Sequence, residues 1–321
     1  MTSIEKKKVQ NHIAKGEIED AINALSEILN GTTYFQEIVL ISGRLERLNQ
    51  SIRIGTISEN NKILEQNNIS HALINLTEIL DKIERKGSEN EVDKIKPLQI
   101  KNENFINVTG GKFKMGNNYG TIKERPEHEV VVDDFETYKY PVTVNEYKLF
   151  CLDRGKGLPP PPKWGWKNNH PIVNINWYDA KEFCEWANVR LLTEAEWEYA
   201  AKGGKLSQGF PYSGNLLLTE VGWYYDNSKL QTQKVGLKQP NELGLFDMTG
   251  NVWEWCYDAY SDEFHSKSPH KNPINEGSKY SDRIARGGSW YSYSKNLKLT
   301  YRYKNFPTEC REDLGFRIAK K

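Results

Sequence analysis

The chain has 321 residues and a formal charge of +1, from 44 basic and 43 acidic side chains, and about 44% of it is apolar when glycine is counted. That composition excludes a disordered or collagenous chain, and near-neutrality argues against nucleic acid or an anionic membrane as partner. No apolar run approaches the ~20 residues of a spanning helix, and MTSIEKKKVQ lacks the apolar core of a secretory signal, so the expected setting is cytoplasmic.

Residues 1–90 contain no Trp, Cys or Pro and one tyrosine, Tyr34, whereas all nine tryptophans fall between Trp164 and Trp290. A short helix is expected before Gly16. Ile18, Ala21, Ile22, Leu25, Ile28 and Leu29 then recur at helical spacing, closed by Asn30-Gly31. Phe35, Ile38, Val39, Leu45 and Leu48 predict a second long helix, and Ile69, Ala72, Leu73, Leu76, Leu80 and Ile83 a third. Each has one apolar face, so residues 1–85 read as a small bundle. Residues 86–104 are polar, weakly periodic and interrupted by Pro97, which reads as a linker.

From Phe105 the pattern changes. Phe105–Met115 predicts two strands around Gly110-Gly111, and Glu129–Phe135 another. Thr143/Glu146, Asn176/Asp179 and Thr193/Glu196 each place an oxygen acceptor three residues before a carboxylate, as in a capping box. The last opens a helix carrying Trp197, Ala200 and Ala201 that ends at Gly203-Gly204. Turns and aromatics dominate beyond it, so side-chain bonds to loop backbone must hold the remainder. The fold class is α+β, with residues 105–321 as the second domain.

Three stretches in this domain, RLLTEAEWEYAAKGG (190–204), PNELGLFDMTGNVWEW (240–255) and RGGSW (286–290) followed by LGFR (314–317), join VTGGKFKMG (108–116). Together they resemble the formylglycine-generating enzyme family, the sulfatase-modifying factor domain with a C-type-lectin-like core. Leu192 departs from the proline that the family usually places before the capping Thr. The resemblance implies an oxidase using copper held by two cysteines after the Gly-Gly-Ser element, because soft Cu(I) prefers thiolates. Here that segment is YSYSKNLKLTYRYKNFPTEC, whose first copper position falls near Ser292 and whose only cysteine is Cys310. No copper is therefore expected, formylglycine generation is disfavoured, and Cys151, Cys184, Cys256 and Cys310 read as buried small hydrophobes.

Relatives in the wider family hold nonheme iron with histidines of an attached helical domain. Here that domain has only His12 and His71, in different predicted helices and without an evident triad, while His128, His170, His265 and His270 scatter through loops. Asp247, Gly250, Val252 and Glu254 match the family's structural calcium ligands, two carboxylates and two backbone carbonyls, an oxygen-only set that suits a hard cation. The alternative is that Asp247 caps a turn and Glu254 pairs with an arginine. A second family calcium site does not map cleanly onto residues 222–230.

The amino-terminal stretch AKGEIEDAINALSEIL, with EIVLISGRLERL and IRIGTIS after it, resembles bacterial effector-associated domains. Those are helical adaptors that pair with like domains in defence and signalling systems; a private packing bundle is the alternative. These resemblances imply a non-catalytic recognition protein, whose lectin-like domain binds a ligand while the helical domain recruits an effector. The expected ligand surface is the segment replacing the catalytic one. Tyr291, Tyr293, Tyr301, Tyr303 and Phe306 supply contact area there, with Ser292, Ser294, Asn296 and Asn305 as polar partners. Retroelement-diversified variable proteins use the same fold and the same segment. The competing expectation is an enzyme of this superfamily with non-copper chemistry, using Glu309, Glu312 or Asp313.

Overall fold

The computed structural model describes residues 3–29, 35–59, 62, 63, 66, 67, 69, 70, 72–74, 76, 77, 100, 102–154 and 156–320. The chain divides into two compact units, Met1–Gln99 with Leu152–Gly155, and Ile100–Cys151 with Lys156–Lys321.

In the first unit, α1 (Ser3–Ala14) precedes α2 (Ile18–Leu29) and α3 (Phe35–Arg53), and α4 is described in parts between residues 59 and 77. The apolar spacing of α2 is borne out, since Ile18, Ala21, Ile22, Leu25 and Leu29 are all buried. They pack with Val9, Ile38, Ile41, Leu48, Ile69, Leu73 and Leu76. Leu80, Ile83, His71 and residues 86–99 of the expected linker lie outside the described residues.

The second unit rests on two four-stranded sheets. Its first elements are β1 (Phe105–Val108), β2 (Gly111–Met115), β3 (His128–Val132) and β4 (Phe135–Tyr138), then helices α5 (Val144–Asp153) and α6 (Trp177–Trp186). After them come β5 (Arg190–Leu191), helix α7 (Glu194–Ala201), β6 (Gly222–Trp223), β7 (Thr249–Gly250) and β8 (Trp253–Ala259). The unit closes with β9 (Arg283–Arg286), β10 (Tyr303–Asn305), β11 (Leu314–Phe316) and β12 (Ile318–Lys320). One sheet runs β1-β4-β12-β5, the other β10-β9-β8-β11, and β2 pairs with β3 as β6 does with β7.

The strand expected over 129–135 is two strands, a correction with a cause at Asp133-Asp134. Asp133 and Asp134 interrupt it, because Asp134 Oδ1 accepts from the Gly110 N–H at 2.7 Å and Asp133 Oδ2 from Asn272 Nδ2 at 2.8 Å. The two carboxylates are thus held by donors from other segments, and the run breaks between β3 and β4. All three expected capping boxes are present, at Thr143/Glu146, Asn176/Asp179 and Thr193/Glu196. They fix where α5, α6 and α7 begin.

Burial in this unit includes charge. Arg286, Arg302 and Arg317 are fully buried, as are Trp197 and Trp255. Glu194 accepts from Arg286 (2.7 Å) and bidentately from Arg302 (2.7 and 2.8 Å), while Glu198 accepts from Arg286 (2.5 Å), Lys202 (2.7 Å) and the Gly116 N–H (2.8 Å). Burial raises both carboxyls, but the cations outweigh it, chiefly Arg302 and Arg286 at Glu194 and Lys202 and Arg286 at Glu198, and both sit at about 2. Arg302 belongs to the stretch between Trp290 and Leu314, so this network anchors that stretch to α7. No described helix is long and apolar enough to cross a membrane.

Candidate ligand surface on the carboxy-terminal segment

The segment begins where β9 ends in Gly287-Gly288, both at positive φ. A Cβ at Gly288 would lie 2.3 Å from Leu297 Cδ2, so only glycine fits this turn. The turn after it is latched by hydroxyls. Ser289 Oγ lies 2.9 Å from Asp313 Oδ2, and the carboxylate can only accept, so Ser289 donates its single proton there. Ser292 Oγ, 3.1 Å from Ser289 Oγ, must then be the donor in that pair, while it accepts the Ser289 N–H at 3.0 Å. Arg311 completes the chain, its Nε 2.8 Å from Asp313 Oδ1.

Ser292, expected as a polar ligand contact, is therefore turned inward and buried, and it serves the turn instead. Its neighbours point outward: Tyr291 is 56% and Tyr293 58% exposed. Trp290 is fixed between them and the core, its indole Nε1 donating to Glu312 O and its N–H to Asn251 O, both at 2.9 Å. A second loop brings in Tyr225, whose N–H donates to Ser292 O at 3.1 Å. The Tyr225 ring lies 5.8 Å from Tyr291 and 5.0 Å from Tyr293, and Trp290 continues the row to Trp164 at 5.1 Å. Three contacting tyrosines thus form an exposed aromatic cluster.

The other expected contacts separate from it. Tyr303 stacks on Trp253 at 4.8 Å and accepts from Arg311 Nη1, while Tyr301 lies 6.0 Å from the same indole, so both are half-buried packing residues. Ser294 and Phe306 are exposed and Asn296 and Asn305 half-buried. Phe306 makes no ring contact among the described residues. Tyr225 had no signal in a segment-by-segment reading; it comes from the GWYYDNSKL stretch, 66 residues before Tyr291.

The candidate enzymatic carboxylates are largely committed. Asp313 is buried between Arg311 and Ser289, Glu312 Oε1 accepts from the Lys163 N–H, and Glu309 is exposed. Of the four cysteines, Cys151, Cys184 and Cys256 are buried as expected, but Cys310 is exposed, because the loop after Pro307 leaves its side chain outside the core. His12 also departs from expectation. Its Nδ1 lies 2.7 Å from Glu17 Oε2, and its ligand atom, with those of Glu17 and Asp20, fits within 4.8 Å. The turn between α1 and α2 explains the grouping, since a histidine suits a helix C-terminus and carboxylates a helix N-terminus.

The calcium positions can be tested against donor chemistry. Asp247 and Asn251 adopt left-handed φ of 58° and 64°, and a Cβ on Gly250 between them would lie 2.2 Å from Trp223 O, so the turn is tightly specified. Asp247 is buried and accepts from Gly236 N–H (2.8 Å) and Asn251 Nδ2 (3.2 Å). Glu254 is buried and accepts from Trp197 Nε1 (2.7 Å) and from Arg317 Nε (3.1 Å) and Nη2 (2.8 Å). The turn cap and the arginine pair are therefore both present. Burial pushes the Asp247 carboxyl up to about 6, against the lowering pull of the Gly236 N–H, Arg317 and Asn251. The donor set is oxygen-only, the kind a hard cation takes, and both Glu254 oxygens already accept from Trp197 or Arg317.

Comparison with known proteins follows the same division. Residues 91–321 match the Sulfatase-modifying factor enzyme 1-like domain, and residues 4–84 match Effector-associated domain 11. A serine/threonine-protein kinase pkn1 of Chlamydia caviae is 27% identical over 317 residues, covering 92% of this chain and 50% of the relative. The formylglycine-generating enzyme of Streptomyces coelicolor is 36% identical over 167 residues, covering 47% of this chain and 52% of the relative. The chain thus spans about half the length of these curated relatives. Among solved structures, Treponema denticola variable protein 1 superposes with a TM-score of 0.57 at 26% identity, covering 67% of this chain and 94% of its own.

Proposed function

Since the chain belongs to the sulfatase-modifying factor family, with an effector-associated domain ahead of it, we propose that it is a recognition protein whose lectin-like unit binds a ligand and whose helical unit recruits an effector. The observation that carries this reading is the cluster of Tyr225, Tyr291 and Tyr293, three contacting rings that are 37%, 56% and 58% exposed. Tyrosines give large, rigid contact area with a polar tip at low entropic cost. In the same segment, the Ser289–Ser292 pair and the Asp313 carboxylate offer only oxygen where the copper enzymes of this family need thiolates, and a hydroxyl is a poor ligand for Cu(I). The likeness to a variable protein supports reading residues 290–314 as a diversified ligand surface, and the effector-associated domain supports a bacterial defence or signalling setting.

The competing reading, an enzyme of the superfamily with non-copper chemistry, needs a carboxylate free to exchange protons. Asp313 is instead held by Arg311 and Ser289. Two measurements separate the readings. Incubation with a sulfatase-type cysteine peptide and copper should yield no aldehyde by mass spectrometry; formation above a no-protein control overturns the non-catalytic assignment. Glycan and peptide arrays probed with wild type and with the Tyr225→Ala/Tyr291→Ala/Tyr293→Ala variant should show binding that the variant loses while it melts near wild type.

A structural calcium held by Asp247, Glu254 and the carbonyls of Gly250 and Val252 belongs to the same reading. An ion that binds only the folded form stabilises it by about 2.7 kcal/mol at a hundredfold excess over its dissociation constant. Chelation should therefore lower the melting temperature of wild type, and Asp247→Ala should erase the difference between chelated and calcium-loaded protein. Identical wild-type melts with and without chelator would remove calcium from the assignment.

A further inference from the structure

Two histidines that lie far apart in the sequence meet in the lectin-like unit. His128 opens β3, His265 stands in the short helix Phe264–Lys267, and their rings are 4.8 Å apart, centre to centre, at 51°. His128 Nδ1 lies 3.0 Å from the carbonyl oxygen of Pro126. That oxygen can only accept, so in the neutral ring Nδ1 carries the proton and Nε2 presents its lone pair. Nε2 is buried and has no hydrogen-bond partner among the described residues. His265 is only 2% exposed, and neither of its ring nitrogens has such a partner. A neutral imidazole keeps one nitrogen unprotonated, so this ring too holds a lone pair that the described fold leaves unmet.

Native folds leave few buried polar atoms unpaired, and here three meet across one ring contact. Two neutral nitrogens do not suit Ca²⁺ or Mg²⁺, which take oxygen; they suit a borderline ion such as Zn²⁺. The Pro126 contact is the arrangement such an ion favours, since a metal-bound imidazole commonly donates its other N–H to a backbone carbonyl, which fixes the ring. Two bonds of about 2.0–2.1 Å bridge a gap of up to ~4 Å, the scale of a ring contact. Charge is favourable as well. Glu194 and Glu198 support positive charge at the His265 ring, Glu194 by more than Arg302 opposes it and Glu198 by more than His128 does. We propose that His128 and His265 hold a Zn²⁺-class ion, whose remaining positions are filled by water. His128 is half-buried and gives the ion its way in. The loop over 116–126 meets this pair at both ends, at Gly116, where a Cβ would stand 3.2 Å from His265 Nδ1, and at Pro126. Its Lys123 O accepts from Arg302, and its Glu124 Oε2 accepts from Thr300 Oγ1 at 2.5 Å. The ion thus braces the loop on which the stretch between Trp290 and Leu314 rests, apart from the tyrosine cluster itself.

Zn²⁺ alone is the probe, added to the metal-free full chain in excess Ca²⁺ so that oxygen-only sites are already filled. Equilibrium dialysis with elemental analysis should find an ion bound to wild type, and Zn²⁺ should raise the melting temperature. His128→Gln and His265→Gln should each weaken that binding at least ~tenfold, since losing even the outer partner of a metal ligand costs about that much. His12→Ala, which dismantles the exposed grouping with Glu17 and Asp20, should keep the ion. Circular dichroism checks the fold of each variant, and if His265→Gln does not fold, the half-buried His128 decides. Long-range ¹H–¹⁵N spectra of wild type should show His128 as the Nδ1–H tautomer, with an Nε2 resonance that moves when Zn²⁺ is added. A wild type that takes up no Zn²⁺ overturns the proposal, as does binding unchanged in His128→Gln or lost only in His12→Ala. An Nε2 resonance that responds to pH but not to Zn²⁺ assigns the space between the rings to water and overturns it too.

Discussion

The two units of this chain solve the same problem with opposite materials. The described residues of the helical unit bury an aliphatic stripe centred on Leu25, Ile38 and Leu73, all fully buried. The lectin-like unit has short strands and long turns, and it buries three arginines with the carboxylates that pair with them. Periodic backbone satisfies its own hydrogen bonds, so a bundle needs only apolar filling. Irregular backbone does not, so charged side chains take over that task and couple distant loops. Arg302 joins Glu194 on α7 to the carbonyls of Lys123 and Ser261. The first unit should therefore fail by losing volume, the second by losing charge balance.

The largest expected effect is Arg286→Ala. Removing one partner of a buried pair costs about 3–5 kcal/mol, and it leaves the buried Glu194 and Glu198 short of a cation. For a unit of this size that is roughly 10 °C or more. Calorimetry should show that loss in the transition of the lectin-like unit alone. A matching shift in the helical transition would mean that the units do not melt separately. Leu25→Ala should do the reverse, at about 2–5 kcal/mol, through the cavity it leaves in the bundle.

Acid should divide the units next. Glu194 and Glu198 titrate at about 2 when folded, below the ordinary 4.5, so their stabilisation is complete above the unfolded value and disappears as pH falls toward 2. Burial likewise holds His265 at about 4, below its usual 6.5, so it too stabilises at neutral pH and weakens the fold as pH drops. Asp258, which burial lifts to about 7, works in the other sense and takes back part of the gain. The lectin-like unit should unfold between about pH 4.5 and 2, with loosening that starts below 6.5. Glu198→Gln should flatten that limb, and an unaltered acid profile would show that the network is not its cause.

The smallest effects should fall within the ligand segment itself. Tyr291→Ala and Tyr293→Ala remove exposed rings and should change stability by only a few tenths of a kcal/mol. Tyr303→Ala removes a ring stacked on Trp253 together with an acceptor for Arg311, and should cost about 1–3 kcal/mol. Equal melting of all three variants would erase the distinction between platform and packing within this segment.

Local chemistry made much of this molecule legible before its structure. The α2 stripe and the three capping boxes each depend on residues a few positions apart, and each occurs as expected. Asp133 and Asp134 were missed because an extended apolar run overshadowed two carboxylates that bond to residues far along the chain. Tyr225 joins Tyr291 only through tertiary folding, and the inward turn of Ser292 depends on Asp313, 21 residues away. No periodicity records such pairings. The family resemblance located the segment, but which tyrosines stand free was decided by Trp253 and Arg311.

The position of β12 has a consequence for how the protein is made. It is an inner strand, paired with β4 on one side and β5 on the other, and it occupies residues 318–320. Until those residues leave the ribosome, β4 and β5 have no strand between them. At about 5–20 residues per second, roughly ten seconds or more separate the emergence of β4 from that of its partner. The helical unit can settle during synthesis, whereas the lectin-like unit must wait with the facing edges of β4 and β5 uncovered until its last strand arrives.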